Sequence, residues 1–245
     1  MRPSCPTIAA GEVHVWPLSL DMSRAETVAL AKILSADEIV RADAFRQTEH
    51  RAAYVAARGQ LRQILGEYLR VEPASIEFSY TSRGKPEILT NPIHFTISHS
   101  ATRALCAFSV GVPIGVDLEY KKKIDNLDSL ALQIMSPLES LLFAELPSQR
   151  RLDAFYDCWT RKEAYLKARG LGVVNVLRDV SVSLSEEAQP KLLQCEDPGE
   201  SPDAWSLYSY RLPEDYAAAL AVREKVHRCT WQQPWPESPI TKMVS

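Results

Sequence analysis

The stretch IGVDLEY, residues 114–120, alternates apolar and polar and carries Asp117 and Glu119 two positions apart. Successive strand side chains point to opposite faces, so these two carboxylates share one face. Like charges so placed repel unless something positive is shared between them. A third carboxylate is available in FYDCWTRKEAYLKARGLG, residues 155–172, which reads as a helix. On a wheel of about 100° per residue, Phe155, Cys158, Trp159, Tyr165 and Leu166 form an apolar arc. Lys162 falls inside the arc, Glu163 on its edge, and Lys167 one turn further along the same flank. Three acidic oxygens suit a hard cation such as Mg²⁺, whose usual partner is a phosphate.

A plainer reading of the same residues also stands. Strand ends often carry acids, and Lys121, Lys122 and Lys123 follow to neutralise them. Glu163 and Lys167 have the i,i+4 order of a solvated helix, and Lys167 with Arg169 suits a helix C-terminus. Lys162 resists that reading, because a lysine within an apolar arc needs an anion nearby.

Two further stretches could meet phosphate. TSRGKPEI, residues 81–88, is a turn in which Gly84 permits tight geometry and Pro86 stiffens the exit. Its Arg83 and Lys85 either hold phosphate or decorate a solvated hairpin tip. FTISHS, residues 95–100, puts Ser98 and His99 at a strand end. Neighbours on a strand diverge and no G-x-S-x-G elbow is present, which disfavours a Ser-His-Asp hydrolase. No G-x-G-x-x-G or Walker A run is present either, so the common dinucleotide and nucleoside-triphosphate modes are not indicated.

The elements that must position these groups occur twice. EVHVWPLSL reads as a strand, SADEIVRADAF as a helix capped by Ser35 with Glu38 closing a capping box, and EHRAAYVAARGQLRQILGEYL as a long helix. ASIEFSY reads as a strand, and HFTISHS with RALCAFSV as a strand pair. The order then repeats: PIGVDLEY, the helix SPLESLLFAEL with Ser136, Pro137 and Glu139 in the capping positions, the long helix ending at Gly170, DVSVSL, and the pair WSLYSYRL and YAAALAVRE. Val13, Val15, Ser35 and Glu38 match Ile114, Val116, Ser136 and Glu139 at one offset of 101. Two similar α+β halves are expected, at 1–111 and 112–228, with a pseudo-twofold relation and a cleft between them. Where the second half has Asp117 and Glu119, the first has Trp16 and Leu18, so the fold itself does not require the acids. The Pro-rich segment 229–245 reads as a strap whose Trp231 and Trp235 dock on the surface.

Bulk properties narrow the classes. The 245 residues are 46% hydrophobic and 24% charged, ordinary for a globular protein. A net charge of −3 does not suggest nucleic-acid binding. No apolar run approaches the roughly 20 residues of a membrane span, and the first residues lack a secretory h-region. The five cysteines are scattered without a CxxC, so a reducing cytoplasm is the expected location.

Taken together, GKP at 84–86, FTISHS at 95–100, IGVDLE at 114–119 and WTRKEAYLKARGLG at 159–172 resemble the 4′-phosphopantetheinyl transferase superfamily, in its larger Sfp-type form. The resemblance runs from about Val13 to Val222 and includes the duplicated, monomeric architecture. It implies transfer of the 4′-phosphopantetheine arm of coenzyme A to a serine of an acyl or peptidyl carrier protein, releasing adenosine 3′,5′-bisphosphate. By position it implies that Asp117, Glu119 and Glu163 surround Mg²⁺ and that Glu163 is the general base. Lys167 would meet charge on the pyrophosphate. Ser98, His99 and Lys162 would contact phosphate or pantetheine, and Arg83 and Lys85 would lie along coenzyme A. Arg41 would grip the 3′-phosphate. Glu38 stands where the family has a second basic residue, which leaves one 3′-phosphate contact unaccounted for. The carrier would meet residues 127–146, where Leu141, Leu142 and Phe143 lie near Arg150 and Arg151; core packing is the alternative for those apolar groups. A metal-dependent hydrolase of pyrophosphate bonds, or a non-catalytic module binding coenzyme A or a carrier, are the competing functions.

Overall fold

The computed structural model describes residues 6–88, 90–171, 176–184, 189–213, 215–233 and 235. Within these the chain is mixed α and β. It opens with β1 (Glu12–Ser19), α1 (Arg24–Ala31), α2 (Ala36–Asp43), α3 (Thr48–Leu69), β2 (Ser79–Tyr80), β3 (Pro86–Glu87), β4 (Ile93–Ser100) and β5 (Arg103–Val110). It continues with β6 (Ile114–Tyr120), α4 (Leu127–Ile134), α5 (Pro137–Ala144), α6 (Ser148–Ala168), β7 (Ser181–Val182), β8 (Leu192–Gln194), β9 (Trp205–Leu212), β10 (Tyr216–Arg223) and β11 (Arg228–Trp231).

Two main sheets form, ordered β11-β1-β5-β4 and β6-β10-β9. Their facing sides share one apolar layer. Val13, Val15, Leu105 and Ala107 come from the first sheet, and Ile114, Val116, Leu118, Leu220 and Val222 from the second. Period-2 alternation leaves the opposite face of each sheet to a long helix. Leu18, Phe95 and Phe108 pack with Leu61 and Leu65 of α3, while Ala217, Ala219 and Ala221 of β10 pack with Ala164 and Ala168 of α6.

The capped helices form as expected. The Ser35 N–H donates to Glu38 (3.0 Å), and the Ser136 N–H donates to Glu139 (2.7 Å) with Pro137 at the first helical position. Beyond capping, each glutamate is buried against a cation of the following long helix. Glu38 meets Arg62 of α3 at 2.6 Å, and Arg62 also donates to the Pro73 and Ile76 carbonyls. Glu139 meets Lys162 of α6 at 2.5 Å, and Lys162 donates to the Ile134 and Leu177 carbonyls.

Some elements differ from expectation. ASIEFSY yields only the two-residue β2, because Ile76 is drawn into the core beneath Arg62. DVSVSL yields only β7. The eight-residue α1 and α4 were not foreseen. The strap contributes β11, which pairs parallel with β1 (Val13 with Cys229, Val15 with Trp231). Trp231 packs edge-on to Tyr210 and Trp235 to Tyr216, so both rings reach the second sheet; residues 236–245 lie outside the described ones. No described helix is long and apolar enough to cross a membrane.

Candidate active site

The site is set by how closely α6 can approach β6. Gly115, Asp117 and Glu119 share the β6 face that looks at α6. A Cβ at Gly115 would stand 1.9 Å from the Ala164 carbonyl oxygen and 2.5 Å from the Ala168 nitrogen. Across the ladder, Ala221, Ala219 and Ala217 pair with Gly115, Asp117 and Glu119. Small side chains on both strands let the helix lie directly on the sheet, a use of strand glycine where another backbone comes near. Glu163 and Lys167, on either side of that contact, are thereby brought to the acids.

β4 and β6 run side by side without a backbone ladder between them among the described residues. Side chains join them. Ser98 Oγ donates to Asp117 Oδ1 (2.9 Å), and Ser100 Oγ donates to Glu119 Oε2 (2.9 Å) while accepting from the Tyr120 N–H (3.1 Å). Lys167 Nζ donates to Asp117 Oδ1 (2.6 Å) and Ser98 Oγ (2.8 Å). Asp117 is 2% exposed, and its Oδ2 is buried with no hydrogen-bond partner among the described residues. Glu163, 4% exposed, has no hydrogen-bond or ion-pair partner there either. Burial first, then the Asp117 charge, pushes its carboxyl up to about 7, against the opposing pull of Lys167. Glu119 is raised by burial and by Asp117 in the same way.

Among the described residues no three His, Cys, Asp or Glu side chains converge as a finished metal cage. Lys167 supplies positive charge at Asp117, and Ser100 draws Glu119 to β4. The donor set nonetheless fits a hard cation: burial and the Asp117 charge raise the Glu119 and Glu163 carboxyls, and the buried Asp117 Oδ2 is open to a ligand.

A cleft leads away from this cluster. A cavity of about 210 Å³ is lined by Arg83, Gly84, Lys85, Thr96, Lys167 and Gly170, among others. A second of about 240 Å³ holds Arg41, Tyr54, Arg58 and His99. Gly84, Pro86 and Ile97 wall both. Lys85 lies along the cleft, but its ammonium donates to the Lys167 carbonyl (2.8 Å) and reaches the Ile114 carbonyl (3.4 Å), tying the turn to the end of α6. His99 is held below the usual histidine range by desolvation and the Lys167 charge.

The structure therefore gathers Asp117, Glu119, Glu163, Lys167 and Ser98 in one cluster and sets Arg83, Lys85, Arg41 and His99 along the cleft beside it. Lys162 is a correction. It is 0% exposed and its ammonium is consumed by Glu139 and two carbonyls, so it faces the core of α4, α5 and α6 rather than phosphate or pantetheine. The anion its place in the apolar arc demanded is Glu139. Arg58 and Tyr54 were missed as cleft residues, since nothing in a helical pattern marks which partly apolar face borders a cavity. Gly115 was missed as well, although a glycine inside an alternating strand is the signal that marks it.

The sequence profile of the 4′-phosphopantetheinyl transferase superfamily (ACPS) matches residues 113–221. The 4′-phosphopantetheinyl transferase HetI of Nostoc sp. is 39% identical over 225 residues, 90% of this chain and 92% of that protein. The 4′-phosphopantetheinyl transferase Sfp of Bacillus subtilis is 30% identical over 66% of this chain and 70% of its own. A crystal structure of the holo-[acyl-carrier-protein] synthase from Neisseria meningitidis aligns with 46% of this chain and 98% of its own, at 25% identity and a TM-score of 0.38.

Proposed function

The chain belongs to the 4′-phosphopantetheinyl transferase superfamily, and from that premise we propose that it moves the 4′-phosphopantetheine arm of coenzyme A to a serine of an acyl or peptidyl carrier protein. The observation that carries the reading is the cluster where α6 lies on β6: an unpartnered carboxyl at Glu163 beside the Lys167–Asp117 pair, opening on a basic cleft.

Serine is a poor nucleophile at neutral pH and needs a base within hydrogen-bond reach. Glu163 is that base, with a carboxyl poised near neutrality. It takes the serine proton as the serine oxygen bonds to the pantetheine-side phosphorus. The bond from that phosphorus to the bridging oxygen breaks, and the leaving charge settles on adenosine 3′,5′-bisphosphate. Lys167, whose Nζ already sits between Ser98 and Asp117, meets that charge. Asp117, Glu119 and Glu163 would hold Mg²⁺, which when bound offsets charge on the pyrophosphate oxygens. Asp117 keeps Lys167 aimed at the cleft in either case. Arg83 and Lys85 border the coenzyme, Lys85 by fixing the turn to α6.

The carrier docks on α4 and α5, where Leu132, Leu138, Leu141 and Leu142 are exposed apolar groups, Leu141 by 69%. Phe143 is buried, so core packing claims that residue. Arg151 is partly spent on Asp128 and on the Leu146 and Ala144 carbonyls. We also read the chain as a duplication with halves at 1–111 and 112–228 and a strap at 229–245, acting as a cytoplasmic monomer. Matching sheet orders, β1-β5-β4 and β6-β10-β9, and the paired Glu38–Arg62 and Glu139–Lys162 locks support the duplication.

Intact-protein mass spectrometry tests the activity. Coenzyme A, MgCl₂ and a panel of apo-carriers should give a carrier mass gain of one phosphopantetheine arm. No gain on fatty-acid, polyketide or peptide carriers refutes the transferase reading, and free phosphopantetheine without a carrier would favour a hydrolase.

A further inference from the structure

The seam between β4 and β6 carries two rungs built alike. Ser98 and Ser100 lie two positions apart on β4 and share a face, as Asp117 and Glu119 do on β6. At each rung the serine oxygen accepts from a nitrogen and the serine hydroxyl donates to a carboxylate. Ser98 Oγ accepts from Lys167 Nζ (2.8 Å) and donates to Asp117 (2.9 Å). Ser100 Oγ accepts from the Tyr120 N–H (3.1 Å) and donates to Glu119 Oε2 (2.9 Å). A hydroxyl has one proton to give, and the Tyr120 N–H already points at the Ser100 oxygen, so that proton goes to the carboxylate. A hydroxyl donated to an ionised acceptor is one of the stronger hydrogen bonds.

Glu119 needs such a tether more than Asp117 does. Asp117 is buried and ion-paired with Lys167. Glu119 is next to last in β6, half-buried, and repelled by the Asp117 charge. Among the described residues it has no ion-pair partner, and Lys121, two positions on, is spent on Asp153 (2.8 Å). Of the two side-chain hydrogen bonds that favour its charged form, the one from Ser100 outweighs the one from the Trp159 indole. Ser100 is itself fixed. It ends β4, Ala101 turns the chain at a φ of +50°, and Arg103 opens β5 opposite it. Tyr216 of β10 grips that turn: its hydroxyl donates to the Ser100 carbonyl (3.2 Å) and accepts from the Thr102 N–H (3.3 Å). The buried Tyr216 ring is packed against Tyr120 (5.2 Å) and Trp235 (5.3 Å). The Ser100 hydroxyl therefore stands at a set point against the carboxylate.

We propose that Ser100 is a positioning residue: from the opposite sheet, its hydroxyl holds the Glu119 carboxylate where it can join Asp117 and Glu163 around a divalent cation. The cation and its use are those of the transferase reading above, on which this role rests. Ser100 touches neither substrate nor reacting atoms and acts through Glu119 alone. It also makes the cation site a property of both sheets, because the strand that carries the acids does not by itself aim the second of them.

Manganese(II) titrated into the chain with equimolar coenzyme A, the free ion counted by electron paramagnetic resonance, tests this without a carrier. Ser100→Ala should weaken Mn²⁺ binding about 10- to 100-fold, the usual loss when the partner of a metal ligand is removed. Adenosine 3′,5′-bisphosphate in EDTA should bind the variant as it binds the wild type, because Ser100 lines neither cavity of the cleft. A double-mutant cycle on kcat/KM for carrier modification separates positioning from a merely structural role. Ser100→Ala should cost about 10- to 100-fold in the wild-type background and less than about 3-fold in Glu119→Gln, where the carboxylate it acts through is gone. Wild-type Mn²⁺ affinity in Ser100→Ala, equal losses in the two backgrounds, or weakened nucleotide binding in EDTA overturns the proposal. A wild-type chain without a Mn²⁺ site overturns it too, and if that chain still modifies carriers the transferase reading survives. If no carrier is modified but Ser100→Ala loses Mn²⁺ affinity, the transferase reading falls and the role of Ser100 stands.

Discussion

Gly115→Ala should disable the site from behind. The added Cβ would lie 1.9 Å from the Ala164 oxygen and 2.5 Å from the Ala168 nitrogen, and both are helix backbone with no rotamer to yield. The gap must open by about 1 Å to reach 3.0 Å, the shortest separation a real Cβ shows. Because α6 is rigid, Glu163 and Lys167 move with it. A shift of about 1 Å stretches the 2.6 Å contact of Lys167 with Asp117 beyond hydrogen-bond range. Misplacement of that size costs about 100-fold in rate, and the overpacking costs about 1–3 kcal/mol of stability. The assay is kcat and KM for carrier modification beside a urea melt. Gly111→Ala is the control: φ there is +75°, so alanine is strained, but its Cβ meets nothing within 4 Å. It should lose about 1 kcal/mol while kcat holds. Wild-type kcat in Gly115→Ala, or equal kcat losses in both variants, would refute the close-approach argument.

Glu163 should make the metal-free protein less stable as pH rises. Its folded-state carboxyl is raised from 4.5 to about 7, so its contribution is intact below pH 4.5 and is lost as pH climbs through 7, by about 3 kcal/mol. Glu163→Gln in EDTA should therefore melt above the wild type at pH 8, with the difference gone near pH 4; parallel stability curves would contradict this. Lys162→Met strands the buried Glu139 and should cost about 3–5 kcal/mol in denaturant melts, with KM for coenzyme A unmoved in the folded fraction. A normal melt with a raised KM would return Lys162 to the cleft. Leu141→Glu, at an exposed position, should raise KM for the carrier and leave the melt and KM for coenzyme A alone; an unchanged carrier KM counts against docking on α5.

The local signals in the sequence were strong where chemistry forces them. Ser35 with Glu38 and Ser136 with Glu139 announce helix starts because orphan N–H groups need acceptors. Alternation in 114–120 announces a strand with both acids on one face. Two features of Lys162 point in different directions. Its place inside the apolar arc demanded an anion, and the structure supplies Glu139. Its place in a family motif suggested phosphate, and the side chain turns away. Burial arises from tertiary packing that the motif does not encode. Arg58 was invisible for the same reason, since a helical wheel separates apolar from polar flanks but not core from cavity. The β11 strap and α1 were faint because their pairing or packing is long-range: β11 takes its register from β1, more than 200 residues earlier.

On the proposed duplication, the two halves show why only one carries the acids. At the register of Gly115, Asp117 and Glu119 the first half has His14, Trp16 and Leu18. Tyr68 of α3 reaches down to that strand, its hydroxyl bonded to His14 Nδ1 (2.6 Å) and accepting from the Trp16 indole N–H (3.0 Å). Large rings fill the space between strand and helix there, whereas in the second half the backbone of α6 itself occupies it. Both long helices are fixed at their far side by the same device, a capping glutamate gripping a buried cation. That device sets the helix but not its height above the sheet; the residue opposite the helix sets the height. Carboxylates grafted at 16 and 18 alone would face Tyr68 across a ring-filled layer with no lysine in reach. A working cluster in the first half would need glycine at 14 before acids at 16 and 18 could be used, so the small residue at 115 is the condition on which the Asp117–Lys167 pair depends.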